Sequence, residues 1–136
     1  MSTEDEILNS CRVIAVVGLS PNPERPSYRV ASYLKEQGYR IIPVNPQVKE
    51  VVGELCYAEL ASIPEPVDVV DIFRRAEDVP ALVEQAIKIG AKAVWMQEGI
   101  VNEKAAARAK EAGLSVVMDR CMMREHKKMK EAKRDG

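Results

Sequence analysis

The chain has one histidine and three cysteines in 136 residues, and no two cysteines stand in a C-x-x-C pair. An odd set of thiols (Cys11, Cys56 and Cys121) and a lone His126 give neither a disulfide scaffold nor a zinc site. Cys11 and Cys56 are therefore expected to be small buried side chains in a reducing compartment. Long apolar runs are missing as well. The longest, Val13 to Val17 extended by Gly18 and Leu19, falls far short of the ~20 residues that span a bilayer. The opening Met1-Ser2-Thr3-Glu4-Asp5-Glu6 is acidic where a secretion signal is basic, so a cytoplasmic protein is expected. There is no excess of one charge either. Twenty Lys and Arg against 21 Asp and Glu give a net charge of −1, which supplies no global attraction to nucleic acid.

What remains has the composition of an ordinary folded domain, 46% hydrophobic and 30% charged. The length suits a single domain, with a core over about residues 8–121 and a basic helical tail over 122–136. Val, Ile and aromatic residues cluster at 12–17, 40–44, 68–73, 92–96 and 115–118, each short enough to be a buried strand. Between them lie helical patterns. Over 77–89, Val79, Leu82, Val83, Ala86 and Ile87 repeat at three-four spacing, with Glu77 and Asp78 at the start and Gly90 at the end. Ser27 is expected to cap a helix over 28–37 that stops at Gly38. Asn102 is expected to cap an alanine-faced helix that stops at Gly113. Residues 3–10 and 122–134 add a leading and a trailing helix. Strands alternating with helices must pair in parallel through right-handed crossovers, so the fold class is α/β. The expected architecture is a doubly wound, mainly parallel five-stranded Rossmann-like sheet with helices on both faces.

In such a sheet, ligands sit outside the strand C-termini. That rim collects Gly18 and Ser20, Asn45 and Pro46, Phe73 and Arg74, Gln97 to Gly99, and Asp119 to Cys121. Its first segment, Val13-Ile14-Ala15-Val16-Val17-Gly18-Leu19-Ser20-Pro21-Asn22-Pro23-Glu24-Arg25-Pro26-Ser27-Tyr28, reads as a strand, a loop and a helix start built to cradle phosphate. Glycine lets backbone approach an anion, loop amides and the helix N-terminus offer donors, and Arg25 adds charge. The Gly-x-Gly-x-x-Gly spacing of the common dinucleotide fingerprint is absent. The second strand also lacks the acid that binds a ribose 2′-hydroxyl in NAD binders, and ends in Asn45-Pro46. Asn45 can bond a sugar or adenine edge beside a ribose phosphate, with Arg25, Arg29, Arg40 and Lys49 near in sequence, or it can simply form a turn.

Several stretches, in order, resemble the coenzyme A-binding domain family: Gly18-x-Ser20-x-x-Pro23-x-Arg25-x-Ser27-Tyr28, Gly38-Tyr39, and Pro43-Val44-Asn45-Pro46. They continue with Gly53-x-x-x-Tyr57-x-x-Leu60, Ile63-Pro64, Val67-Asp68 and Ile72-Phe73-Arg74. The last are Ala91-Lys92-x-Val94-Trp95-x-Gln97-x-Gly99 and Asp119-Arg120-Cys121. The likeness covers about residues 8–126 and is closest to a small stand-alone member. The same domain forms the nucleotide-binding part of succinyl-CoA ligase alpha subunits and of ADP-forming acyl-CoA ligases. Those enzymes also need a phosphorylated histidine and an ATP-grasp partner, whereas the only histidine here lies in the charged run Arg124-Glu125-His126-Lys127-Lys128 and is expected on the surface.

The resemblance implies that coenzyme A, or an acyl-CoA, is the ligand. Gly18, Leu19 and Ser20, with Arg25 and Tyr28, would hold the pyrophosphate region. Asn45 and Pro46 would face the adenosine, Phe73 and Arg74 would flank adenine or phosphate, and Val79 would add apolar contact. Gln97, Glu98 and Gly99 would face the pantetheine arm, and Glu98 departs from the apolar residue common at that place. Cys121 lies where a thiol ligand could arrive, although an inert thiol is the simpler reading. Trp95 is read as core. No Ser-His-Asp set, rim histidine or metal cluster is visible, so a non-catalytic carrier, sensor or sequestering protein is the leading expectation. The alternatives are an NAD(P) oxidoreductase, a CoA-ligase component completed by another chain, and a nucleotide-sensing module whose basic tail binds a partner.

Overall fold

The computed structural model describes residues 2–135. In chain order the elements are α1 (Thr3–Ser10), β1 (Val13–Val17), α2 (Pro26–Glu36), β2 (Arg40–Val44), β3 (Glu50–Val51), β4 (Glu54–Leu55), β5 (Val69–Ile72), α3 (Val79–Lys88), β6 (Ala93–Met96), α4 (Glu103–Glu111), β7 (Ser115–Val117) and α5 (Met122–Asp135). Five strands form one sheet in the order β2-β1-β5-β6-β7, and every neighbouring pair is parallel. The chain builds outward from β1 to β2 and then crosses to β5 on the other side of β1. The order thus reverses between β1 and β5, which opens a crevice where their C-terminal ends diverge.

Alternation along the strands divides the apolar side chains between two cores. Ile14, Val16, Val69 and Trp95 face α1, α2 and α5. Ala15, Val17, Val70, Ile72, Val94 and Met96 face α3 and α4. Trp95 is fully buried, and its indole N–H donates to the Arg120 carbonyl at 2.9 Å. Small residues let α4 lie close to the sheet through Ala105, Ala106 and Ala109, and the Asn102 side chain caps the helix on the Ala105 amide. At the opposite end of the sheet from the crevice, Asp68 accepts the Arg12 and Val13 amides at 2.8 and 2.9 Å and so fixes the start of β1. No helix among the described residues is long and apolar enough to cross a membrane.

Four expectations need correcting. Ser27 does not cap α2: the helix begins at Pro26, with Arg25 in the capping position and no side-chain cap bond. Proline suits the first helical position because it has no N–H to leave unsatisfied. His126 is not on the surface. Only 6% exposed, it lies with Nδ1 2.8 Å from the Tyr33 hydroxyl and with both the Tyr33 and Tyr39 rings edge-on to it. Met122, His126 and Met129 form a stripe at helical spacing that buries α5 against α1 and α2, and the surrounding lysines hid it. Arg40 cannot reach the rim, because it opens β2 at the other edge of the sheet, where it pairs with Glu54 at 2.7 Å and Glu65 at 3.1 Å. Cys56 is half-buried rather than buried, with its thiol 3.5 Å from the Asn45 carbonyl.

Candidate functional site

The crevice is built around Gly18. Its amide donates to the Val44 carbonyl at 2.9 Å, and its φ of +86° lies in the left-handed region that favours glycine. A Cβ there would stand 2.5 Å from the Phe73 carbonyl oxygen, so the ends of β1 and β5 can close to this distance only around a glycine. Beyond it, the loop is held by its own polar groups. The Ser20 amide donates to the Ser27 hydroxyl at 3.0 Å, the Asn22 amide to the Ser20 hydroxyl at 3.1 Å, and the Glu24 amide to the Asn22 side chain at 3.0 Å. The Arg25 amide donates to the Asn22 carbonyl.

Most loop amides are therefore already engaged, unlike the open cradle expected from the sequence. The donors left for an anion include the Ser27 amide in the first turn of α2, where Pro26 has no N–H and the Tyr28 amide donates to the Arg25 carbonyl, together with the hydroxyl hydrogens of Ser20 and Ser27 and the nearby guanidinium groups. Arg25 and Arg29 are exposed and make no ion pair among the described residues. Gly18, Ser20, Arg25, Pro26, Ser27 and Phe73 line an open cavity of about 400 Å³.

Pro26 and Phe73 also wall a second cavity of about 410 Å³. It extends over Val30 and Arg29 of α2, Gln97, Glu98 and Ile100 beyond β6, and Cys121, Met123 and Arg124 at the start of α5. The first cavity is lined by hydroxyls and charge, the second by more apolar side chains. Glu98 is compensated: its carboxylate lies 2.6 Å from Arg124, across the mouth of the second cavity. Asp119, itself at φ 60°, accepts the Gly99 amide at 2.7 Å and ties the two loops of this wall together. At the base, Gln97 donates from Nε2 to the fully buried Asp71 at 2.5 Å. Burial pushes the Asp71 carboxyl up to about 7, and the bond from Gln97 offsets this only in part.

The expected site residues divide into groups. Gly18, Ser20, Arg25, Phe73, Gln97, Glu98 and Cys121 line the two adjoining cavities. Gly99 lies in the loop beside them, and the buried Leu19 offers backbone only. Asn45 spends both ends of its side chain on structure, accepting the Gln47 amide and donating to the Leu19 carbonyl at 3.1 Å. Pro46 and Arg74 border a smaller cavity of about 160 Å³ with Val17, Val44, Leu60 and Leu82, and Arg74 also lies 3.3 Å from Asp78. Tyr28 is half-buried against the core. Val79, the first residue of α3, has no exposed surface and belongs to the core on that face of the sheet.

Sequence reasoning missed the walls supplied by Pro26, Val30, Ile100, Met123 and Arg124, and it missed Asp71. Asp71 had a signal, since a carboxylate in the otherwise apolar Val69-Val70-Asp71-Ile72 is unusual for a strand covered on both faces. Among the described residues no cluster of His, Cys, Asp and Glu is placed to hold a metal ion.

A family model described as "CoA binding domain" matches residues 12–127. An uncharacterized Bacillus subtilis protein, YneT, is 42% identical over 121 residues, which cover 89% of this chain and 90% of that one. ADP-forming acetate–CoA ligase II of Archaeoglobus fulgidus is 31% identical over 93 residues, 66% of this chain but only 14% of the ligase. Among solved structures, a hypothetical protein from Pyrococcus horikoshii superposes with a TM-score of 0.90 at 48% identity, covering 94% of this chain and 92% of that one.

Proposed function

The chain belongs to the CoA-binding domain family, and from that premise we propose that it binds coenzyme A or an acyl-CoA at the crevice as a non-catalytic carrier, sensor or sequestering protein. One observation carries the reading: two cavities of contrasting character abut at Pro26 and Phe73 on the C-terminal rim of the sheet. The ligand would span both. Its diphosphate suits the cavity where Ser20, Ser27 and Arg25 converge on the start of α2. Its arm suits the cavity walled by Val30, Phe73, Ile100 and Met123, with the thiol or acyl end toward Cys121. The related ligase is far longer than this chain, so what carries over is binding of the nucleotide and arm rather than the joining reaction.

Mass spectrometry of small molecules released on denaturation, followed by titration of stripped protein with CoA, dephospho-CoA, NAD and NADP, tests this reading. CoA should bind tightest. A preference for NAD or NADP, or no binding of CoA, would remove it. Within the reading, Arg25→Ala should weaken CoA by roughly 1.5–3 kcal/mol, the value of a hydrogen bond to a charged group. Unchanged affinity by calorimetry would take Arg25 out of the site.

A further inference from the structure

Asp71 stands where a carboxylate is costly. Its strand neighbours are Val16 on β1 and Trp95 on β6, and it has no surface exposed to solvent. One oxygen accepts from Gln97, and the other, Oδ2, has no partner among the described residues. Buried polar atoms are nearly always satisfied, so a half-paired carboxyl beneath a cavity suggests a role beyond packing.

Gln97 links it to that cavity. With the amide nitrogen held by Asp71, the amide oxygen is the end left for the cavity that Gln97 lines. An ionised carboxyl can only accept, and so enforces this orientation. A protonated one can also donate, which lets the amide turn over and present NH₂ instead. We propose that Asp71 is a positioning residue that sets the donor–acceptor polarity of Gln97, and that its ionised form selects a ligand arm presenting an amide N–H. The inference rests on the CoA reading, because the pantetheine arm of CoA carries such amides.

Proton exchange at Asp71 falls near neutrality, since burial pushes the carboxyl up to about 7. The ionisable groups lining the cavity above the pair are Arg29 on α2, Glu98 after β6, and Cys121 and Arg124 at α5. Glu98 and Arg124 compensate each other, and the facing residues of β1 and β6 carry no charge.

The test compares CoA with adenosine 3′,5′-bisphosphate, which has no amide arm; because its 5′-phosphate is a monoester that titrates at about pH 6 and the diphosphate of CoA is not, each ligand is compared between wild type and Asp71→Asn. Calorimetric titrations would run from about pH 5.5 to about pH 8.5. On going from pH 8 to pH 6, CoA affinity should fall about threefold more in wild type than in Asp71→Asn, and bisphosphate affinity should fall equally in the two. Should that variant not fold, the wild type still decides. By reciprocity, bound CoA should lower the midpoint of the Asp71 carboxyl, followed by ¹³C NMR, by about 0.7 pH unit, and the bisphosphate should leave it in place. An equal pH response in wild type and Asp71→Asn, or a midpoint unmoved by CoA, overturns the proposal while CoA binding stands. Failure of CoA to bind at any pH removes the parent reading and this one together.

Discussion

Gly18 meets two constraints at once, a left-handed backbone and the Phe73 carbonyl, whereas Gly38 meets only the first: its φ is +100° with nothing within 4 Å of an added Cβ. Gly38→Ala should therefore cost only backbone strain, about 1–3 kcal/mol, while Gly18→Ala should cost more than Gly38→Ala because β1 and β5 must also part. Equal losses in urea denaturation would mean that the carbonyl gives way freely. Asp71 imposes a different cost. Its carboxyl is raised from 3.8 to about 7 in the fold by burial, so between those values the unfolded chain gives up the proton first. The stability that neutral Asp71 contributes is complete below about pH 4 and is lost as pH rises to about 7, on the order of 4 kcal/mol in all. Plotted against pH, the stability of wild type relative to Asp71→Asn should fall over that window and then level off. A flat difference would show that water or a shifted side chain relieves the buried charge. Both residues were visible in the sequence to different degrees. Gly18 ended an apolar run and marked the rim, whereas Asp71 was one acid inside a strand and was absorbed into the pattern around it.

Among the elements, those with enough turns or alternations to show a period were legible, and those fixed by one or two contacts were not. All five sheet strands and the helices α3 and α4 lie within a residue or two of the stretches their apolar spacing marked. The β3–β4 ribbon has two residues per strand, too short for a period, and depends on Val52 adopting a φ of 49°. The start of α2 was misplaced because serine after proline resembles a cap, although Ser27 turns back to hold Ser20. In α5, lysine and arginine masked a buried stripe. His126 in that stripe is held below its ordinary range by burial and by the charges of Lys130 and Lys133. The fold favours its neutral form, so this contribution is present above about pH 6.5 and is lost as pH falls through the lowered value. Acid should therefore lower the amide-exchange protection factors of α5 before those of the sheet. Tyr33→Phe, which removes the bond to His126, should cost about 0.5–1.5 kcal/mol. If α5 and the sheet lose protection together at all pH values, the helix is not a separately docked unit.

At the scale of the whole molecule, parallel topology alone gathers the ends of β1, β2, β5, β6 and β7 on one rim, which is why seven of the expected site residues could be collected from sequence and line the two adjoining cavities. The opposing wall was not legible. It comes from α5, whose arrival depends on the docking of Met122, His126 and Met129 against α1 and α2 rather than on any local motif. The second cavity thus joins residues from α2, the loop after β6 and the start of α5, segments nearly a hundred positions apart. A ligand filling it would hold these three segments together, and binding to the folded state alone stabilises whatever the ligand touches. CoA should therefore slow amide exchange at residues 26–30, 97–100 and 121–124 together, while the β3–β4 ribbon, which contributes to neither cavity, exchanges as before. Adenosine 3′,5′-bisphosphate should protect only the first of these segments. Protection by CoA confined to 18–29 would mean that the arm lies outside the second cavity and that α5 closes it for structural reasons alone.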